Sequence, residues 1–373
     1  MIKFNKPSIT EKEKHNVLEA MDGTNILSGD GKFTTKIYQQ FEERFGIKNM
    51  LLTTSGTTAL EMASILINLE PGDEVITPSF TFSSTVNAFL LRGAKPVFCD
   101  IREDTFNIDE NLIEGLITPK TKAIYAVDYA GFPCEMDKIN EIANKYGLFV
   151  IEDAAQAVGS TYKGRYAGTL TEFGCYSFHE TKNYVMGEGG AIVVNEDKYM
   201  ERAEIIREKG TNRRNVLRGL VDKYTWHDIG SSFLPSDVLA AILSAQIDRY
   251  EEIFEKRMNV WNTYYNGLKD LEDKGYYLPA DIEHNAHMFC IVLPSEEKRT
   301  HLINKLKEKG IASYICYVPL HSAPYGLKLG YTPEMLPVTE DLAKRILRLP
   351  LYVDMTSEDA MYVVDSIKEV LKG

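Results

Sequence analysis

The stretch that decides the fold is GCYSFHETKNYVMGEGGAIVVN, residues 174–195. An apolar run typical of a buried strand is followed by a polar turn with Ser177, His179 and Lys182, then by a Gly-rich hairpin and a second apolar run. A lysine between two buried strands is unusual if it only faces water. A partly desolvated lysine loses its proton near neutral pH and attacks carbonyl groups, as a Schiff base requires. The alternative is an ordinary loop lysine.

Upstream, LFVIEDAAQAVGS (residues 148–160) ends a predicted strand with Glu152 and Asp153. This position is the carboxyl edge of a parallel sheet, where the ligand sites of α/β proteins gather. An acid there either pairs with a ring nitrogen of a ligand or only caps a helix and binds solvent.

Further upstream, TTSGTTAL (residues 53–60) ends a predicted strand at Ser55-Gly56 and opens a helix with Thr57 and Thr58. Backbone N–H groups and hydroxyls at a helix N-terminus bind anions, so this segment is a candidate phosphate site. The alternative is a helix start capped by threonine.

Around these segments, apolar runs alternate with helical patterns. The candidate strands are MLLTT, EVITPS, PVFCD, AIYAVDY, LFVIED, GCYSF and AIVVN, and the candidate helices cover residues 57–68, 83–92 and 135–146. This alternation predicts an α/β fold with a mostly parallel sheet covered on both faces. A long helix over residues 236–270, capped by Ser236, is predicted to bridge two domains, residues 1–245 and 246–373. The second domain is predicted to be α+β, with a strand in HMFCIVL, a helix over 296–309, a strand in IASYICY and two final helices.

Composition excludes several classes of protein. The 42 Lys and Arg against 54 Asp and Glu give a net charge of −12, which argues against nucleic-acid binding. No apolar run has the roughly 18 residues that span a bilayer, and the N-terminus does not resemble a signal peptide, so we expect a cytoplasmic protein without a membrane partner. The five cysteines are predicted to be buried free thiols, and no metal site is expected. A basic cluster is a candidate anion site, the alternative being a solvated charged face; its members are Arg207, Lys209, Arg213, Arg214 and Arg218.

Asp153 followed by Lys182 29 positions later, behind a phosphate-site motif, resembles the fold-type-I enzymes of pyridoxal 5'-phosphate (PLP). SGTTAL, PSFTFSSTVNAF, EDAAQAVGS, SFHETKN with GEGGA, and YVPLH resemble the DegT/DnrJ/EryC1/StrS sugar aminotransferase family over most of the chain. The resemblance implies an aspartate-aminotransferase-like fold, with a large domain and a smaller C-terminal α+β domain.

The resemblance also implies roles for single residues. Lys182 would bond to the cofactor and shuttle a proton, Asp153 would hold the pyridine nitrogen protonated, and Gln156 would lie at the ring hydroxyl. Phe82 would stack on the ring, and the phosphate would be bound by Gly56, Thr57, Thr58 and Ser177. Where many relatives have an asparagine that reaches the phosphate across a dimer interface, this chain has the run Gly230–Leu234, in which Ser232 is the candidate to bind the cofactor with its hydroxyl instead. His179, His321 and Arg213 are candidate substrate contacts, and for both histidines a structural hydrogen bond is the alternative.

The implied activity is a two-step exchange in a homodimer or a dimer of dimers. L-glutamate gives its amino group to the cofactor, and C4 of dTDP-4-keto-6-deoxy-D-glucose receives it to give dTDP-4-amino-4,6-dideoxy-D-galactose. This substrate follows from residues 207–232, which resemble the subgroup that serves enterobacterial common antigen synthesis. The alternatives are a UDP-linked sugar or amination at C3, a PLP-dependent sugar dehydratase, in which histidine replaces the lysine, and a PLP-binding regulator without turnover.

Overall fold

The computed structural model describes residues 1–23, 26–276 and 283–372. Its strands are β1 (Met50–Thr53), β2 (Glu74–Pro78), β3 (Lys95–Cys99), β4 (Thr121–Val127), β5 (Phe149–Asp153), β6 (Thr161–Tyr162), β7 (Arg165–Tyr166), β8 (Phe173–Ser177), β9 (Gly190–Val194), β10 (Phe289–Val292) and β11 (Ile346–Leu349). Seven of them form one sheet in the order β1-β9-β8-β5-β4-β2-β3. Within it β9 runs antiparallel to both neighbours, whereas β8, β5, β4, β2 and β3 pair in parallel. The predicted mostly parallel α/β sheet is confirmed.

The helices are α1 (Glu11–Gly23), α2 (Lys32–Phe45), α3 (Gly56–Leu66), α4 (Ser83–Leu90), α5 (Glu110–Ile113), α6 (Met136–Tyr146), α7 (Met200–Arg207), α8 (Arg213–Leu217), α9 (Asp237–Asp248), α10 (Tyr250–Leu268), α11 (Glu296–Glu308), α12 (Pro324–Lys328), α13 (Pro337–Arg345) and α14 (Ser357–Lys372). Both faces of the sheet are covered, because alternate residues of one strand enter different cores. Leu51 packs with residues of α3 and α4, and its neighbour Leu52 packs with residues of α2 and α9. This two-sided burial explains why the strands read as continuous apolar runs.

The single helix predicted over residues 236–270 is wrong. Ser236 does cap α9, accepting a hydrogen bond from the Val238 N–H at 3.2 Å, but the helix stops at Asp248 and α10 begins at Tyr250. At the break, the Arg249 guanidinium donates to Glu13 of α1 at 2.8 Å. The apolar face of α9 packs on the N-terminal helices, and Ile253 at the start of α10 joins it there. The rest of the apolar face of α10, from Val260 to Leu268, packs in the C-terminal core.

The C-terminal part contains a short sheet packed with helices. Strand β10 pairs with β11 in antiparallel fashion, and the core around them includes residues of α10, α11, α13 and α14. The strand predicted in residues 311–317 is wrong, because this segment makes only isolated bridges, from Ile311 to Ile2 and from Tyr314 to Arg348. The true partner strand, β11, was not predicted. The division of the chain between residues 245 and 246 stays a prediction.

Across the described residues, no helix is long and apolar enough to cross a membrane, and no group of His, Cys, Asp and Glu side chains suits a metal ion. The cysteines are free; four are buried and Cys316 is half-buried.

Candidate active site

Lys182 lies in the turn between β8 and β9, and its N–H donates to the His179 carbonyl at 2.9 Å. Its side chain is half-buried. Burial lowers the pKa of the Lys182 ammonium to about 8; the attraction of Asp153 opposes this change and the charge of Arg348 adds to it. At pH 7 about a tenth of Lys182 is therefore a neutral amine, the form that nucleophilic attack on a carbonyl requires.

Asp153 is the last residue of β5 and is 5% exposed. Thr85 Oγ1 donates to its Oδ2 at 2.7 Å, and the Ala155 N–H donates to its Oδ1 at 3.2 Å. Burial raises the pKa of the carboxyl, while the bond from Thr85 and the charge of Lys182 lower it. A carboxylate held in this way is suited to bond a protonated ring nitrogen.

The N-terminus of α3 forms an anion cup. Ser55 is the N-cap: its Oγ accepts from the Thr58 N–H at 3.1 Å, and Thr58 Oγ1 accepts from the Ser55 N–H at 3.0 Å. This reciprocal cap leaves the N–H groups of Gly56 and Thr57 as first-turn donors without a partner inside the helix. Thr57 Oγ1 lies 2.7 Å from Ser84 Oγ at the cup's edge.

Ser177, the last residue of β8, completes the cup, because Gly56 has no side chain and the Ser177 hydroxyl can lie close to the N-terminus of α3. A Cβ on Gly56 would lie 2.9 Å from Ser177 Cβ and 3.3 Å from its Oγ. The absence of that Cβ brings the Ser177 hydroxyl beside the helix N-terminus, where backbone dipoles and free N–H groups favour a phosphate.

These groups line one cavity of about 530 Å³, here called the large cavity. The predicted residues in its lining are Gly56, Thr57, Phe82, Asp153, Gln156, Ser177, His179 and Lys182. The donor set fits PLP: the cup suits its phosphate, the carboxylate suits its ring nitrogen, the lysine suits its carbonyl, and an aromatic ring is present for its face. An anion-binding cup and a carboxylate in the same cavity are what a phosphate ester of a pyridine requires.

Gln156 and Phe82 reach the large cavity differently. The Gln156 Oε1 accepts from the Ala130 N–H at 2.8 Å and its Nε2 donates to the Tyr317 hydroxyl at 3.2 Å, so the amide is fixed from both sides. Phe82 precedes α4 and is 59% exposed, and its ring centre lies 6.2 Å from that of Tyr317. Phe82 is thus open to contact with a ligand.

Four predicted site residues lie outside the lining of the large cavity. Both the hydroxyl and the N–H of Thr58 are engaged in the cap described above. Ser232 is exposed and pairs with Glu208, and Arg213 donates to the same Glu208 at 3.1 Å. His321 is fully buried, with Nδ1 2.6 Å from Ser79 Oγ, which is the structural alternative given for this residue.

The basic cluster is not a free anion site, and this expectation is corrected. Its cations are bound to carboxylates: Arg207 is buried and donates to Asp30, Lys209 and Arg213 pair with Glu208, and Arg214 and Arg218 pair with Glu204. Two of the three acids that neutralise the cations lie in or beside the same stretch, Glu204 on α7 and Glu208 directly before Lys209, whereas Asp30 stands far upstream.

Sequence reasoning missed several residues of the large cavity, among them Phe4, Thr85, Tyr317 and Arg348. The Arg348 guanidinium lies 4.8 Å from the centre of the Phe4 ring, and both come from parts of the chain for which no element was predicted. For Thr85 a signal existed, since PSFTFSSTVNAF belongs to the motifs quoted above.

Comparisons with known proteins agree with this geometry. The model of the DegT/DnrJ/EryC1/StrS aminotransferase family matches residues 7–368. The GDP-perosamine synthase of Escherichia coli O157:H7 is 33% identical over 366 residues, covering 98% of this chain and 97% of that protein. The pleiotropic regulatory protein of Geobacillus stearothermophilus is 35% identical, covering 94% and 92%. Among solved structures, the putative sugar aminotransferase Spr1654 from Streptococcus pneumoniae is 26% identical; its PMP form gives a TM-score of 0.92 and covers 100% of this chain and 99% of that chain, and a PLP form gives 0.91.

Proposed function

We propose that this chain, which belongs to the DegT/DnrJ/EryC1/StrS aminotransferase family, transfers an amino group from L-glutamate to the keto group of a nucleotide-linked sugar. That it is a PLP-dependent sugar aminotransferase follows from its family and from its structural neighbours. The observation that carries the proposal is that Lys182, whose pKa is lowered to about 8, shares the large cavity with the buried carboxyl of Asp153 and with a phosphate cup.

In this proposal the cofactor, when bound, supplies a carbonyl that takes up amino groups and a ring that absorbs the electrons released when the substrate carbon loses its proton. The residues divide the remaining work. The cup of Gly56, Thr57 and Ser177 binds the phosphate and fixes the position of the ring. Asp153, oriented by Thr85, keeps a proton on the ring nitrogen.

Lys182 is proposed as the group that moves the proton. A side chain with a pKa near 8 both accepts and returns a proton at neutral pH, which a general acid and base must do. Removing the proton from the carbon of the donor amino acid and delivering one to the sugar carbon are then tasks of one amine.

The finer proposal concerns the sugar. Residues 207–232 favour dTDP-4-keto-6-deoxy-D-glucose, with the product dTDP-4-amino-4,6-dideoxy-D-galactose for a cell-surface polysaccharide such as enterobacterial common antigen. A GDP-linked keto-sugar is the second candidate, supported by the similarity to a GDP-perosamine synthase. A regulator without turnover, in line with the name of the Geobacillus relative, is a third outcome.

The experiment is a comparison of acceptors. The purified enzyme with PLP and L-glutamate is given the dTDP-linked and then the GDP-linked 4-keto-6-deoxy sugar, and the amino-sugar products are measured by mass spectrometry. The proposal expects kcat/KM for the dTDP-linked sugar to exceed that for the GDP-linked one by at least about tenfold. A preference for the GDP-linked sugar would replace the finer proposal. Turnover of neither would overturn both sugar candidates and leave a UDP-linked sugar, amination at C3 and the regulator as the alternatives.

We also propose a homodimer or a dimer of dimers. Around α8 and the segment that follows it, six large apolar side chains are exposed, which is unusual for a surface that stays in water. They are Leu217, Leu220, Val221, Tyr224, Trp226 and Ile229. Ser232 belongs to the same region, so the association would decide whether it reaches a partner's phosphate.

A further inference from the structure

A second, small cavity adjoins Lys182. Its volume is about 10 Å³, and most of its lining is polar: Gln156, Ser177, Lys182, Asn183, Tyr184, Asn285 and His287. That volume corresponds to about one water molecule, and a polar lining is what a buried water needs. Gln156, Ser177 and Lys182 also line the large cavity, so Lys182 borders both cavities.

The hydrogen bonds around His287 fix its tautomer. The Asn183 Nδ2 donates to the Asn285 carbonyl at 2.8 Å, which orients the amide so that Asn183 Oδ1 lies 2.9 Å from His287 Nδ1. An amide oxygen only accepts, so Nδ1 carries the hydrogen and Nε2 keeps a lone pair. Within the described part of the chain, no protein group bonds to that Nε2.

The surroundings of His287 also keep it uncharged. It is 3% exposed, and Arg257 donates to its carbonyl at 2.7 Å while forming no ion pair with the described residues. Burial lowers the pKa of His287 well below its ordinary value, and the positive charges of Lys182, Arg348 and Arg257 lower it further. His287 is therefore an acceptor at neutral pH and is not a store for a proton.

We propose that His287 is a positioning residue for Lys182, whose amino group donates through one water in the small cavity to His287 Nε2. The proposal rests on the proposed role of Lys182. An acceptor on this side directs an N–H of the amine into the small cavity and its lone pair into the large one, where a carbonyl must be attacked. It also stabilises the ammonium form. The charged or titratable groups around Lys182 come from several elements. They are Asp153 on β5, Arg348 on β11, Cys316 and Tyr317 between α11 and α12, His179, Tyr184 and Glu188 in the turn between β8 and β9, and His287 before β10.

Two variants separate an acceptor role from a structural one. His287→Asn keeps a donor where Nδ1 bonds to Asn183 but removes the acceptor, whereas His287→Gln places an amide oxygen near the position of Nε2. The measurement is the pH dependence of the rate at which the apoprotein takes up PLP, which reports the pKa of Lys182 without any turnover. We expect a midpoint near 8 in the wild type. In His287→Asn we expect the midpoint to fall by about 0.5–1 pH unit and the limiting rate of uptake at high pH to be several-fold lower. In His287→Gln we expect both to stay near the wild-type values.

A structural role predicts the reverse order, with His287→Asn like the wild type and His287→Gln impaired, and that result would overturn the proposal, as would two unchanged variants. If neither variant folds, ¹⁵N NMR of the wild-type apoprotein decides. We expect a neutral imidazole with its hydrogen on Nδ1 from pH 6 to 9; an imidazolium, or a hydrogen on Nε2, would be incompatible with the proposal. Neither readout involves a sugar, so failure of the proposed transamination would leave them unchanged.

Discussion

Burial disfavours the charged form of both Lys182 and Asp153, and this shifts their pKa values in opposite directions. It lowers the pKa of the lysine to about 8 and raises that of the carboxyl, and each charge moderates the shift of the other. Each of the two groups therefore lowers the cost of burying the other. A cofactor with a cationic ring nitrogen and a carbonyl would bond to Asp153 through the nitrogen and to Lys182 through the carbonyl.

The lowered pKa of Lys182 predicts a pH-dependent penalty on folding. Between about pH 8 and the ordinary lysine value near 10.4 the unfolded chain binds more protons than the folded one, so stability rises with pH across this window and the penalty is full below it. We expect Lys182→Met to stabilise the apoprotein by about 1–3 kcal/mol more at pH 7 than at pH 10.5, measured by urea unfolding. Lys120→Met, at an exposed lysine, is the matched control. A stability difference that does not change with pH would show that Lys182 is not desolvated.

Among single residues, the sequence predicted the site residues that lie close to the ends of predicted strands. Asp153 was recognisable at the end of a predicted strand and Lys182 in a polar turn between two predicted strands, and the motifs around them resemble those of a family of PLP enzymes. His287 and Arg348 were not recognisable, since they reach the site through packing of distant segments, and the local pattern contains no trace of that packing. Tyr317 begins the quoted motif YVPLH, so for this residue, as for Thr85, a signal existed. For the basic cluster, Glu204 and Glu208 are close in sequence, but their pairing with four of the five cations is visible only in the fold.

Among the elements, helix α3 has the clearest function, because its first turn is both capped by Ser55 and left with two N–H groups for a ligand. Its contact with β8 depends on Gly56. Gly56→Ala should force Ser177 to shift, at a cost of about 1–3 kcal/mol, and weaken PLP binding by roughly 10–100-fold. Gly115→Ala, where a Cβ would meet nothing within 4 Å, should change it little. Absorbance titration of the apoprotein measures both, and equal affinities would rule out the close approach as the basis of the cup.

Elements with strong periodicity were predicted well and the others were not. All seven strands of the sheet were placed to within about two residues, because strands buried on both faces leave continuous apolar runs. The helix over residues 236–270 has an apolar stripe on both sides of Arg249, and only the ion pair with Glu13 reveals the break. In residues 311–317, apolar residues such as Ile315 are exposed, so hydrophobicity suggested a strand where none forms.

For the whole molecule, the exposed apolar segment around Trp226 predicts an association that a single chain cannot show. Trp226 is 81% exposed, and a charge in its place should prevent burial against a partner. We expect the wild type to be at least a dimer by light scattering and Trp226→Asp to be largely monomeric. Met361→Asp, at a half-exposed apolar residue of α14, is the matched control. A wild-type monomer, or a Trp226→Asp variant that remains a dimer, would contradict the proposed interface.

The central claim concerns two half-reactions in one cavity, and a spectral titration tests it most directly. The holoenzyme is titrated with L-glutamate and then with dTDP-4-keto-6-deoxy-D-glucose while the visible absorbance of the lysine-bound cofactor is followed. The account predicts that the band fades with glutamate and returns with the keto-sugar, and that Lys182→Ala shows no such band while keeping the wild-type circular dichroism. A band that does not respond to glutamate, or that fades and does not return with the dTDP-linked or the GDP-linked sugar, would contradict it.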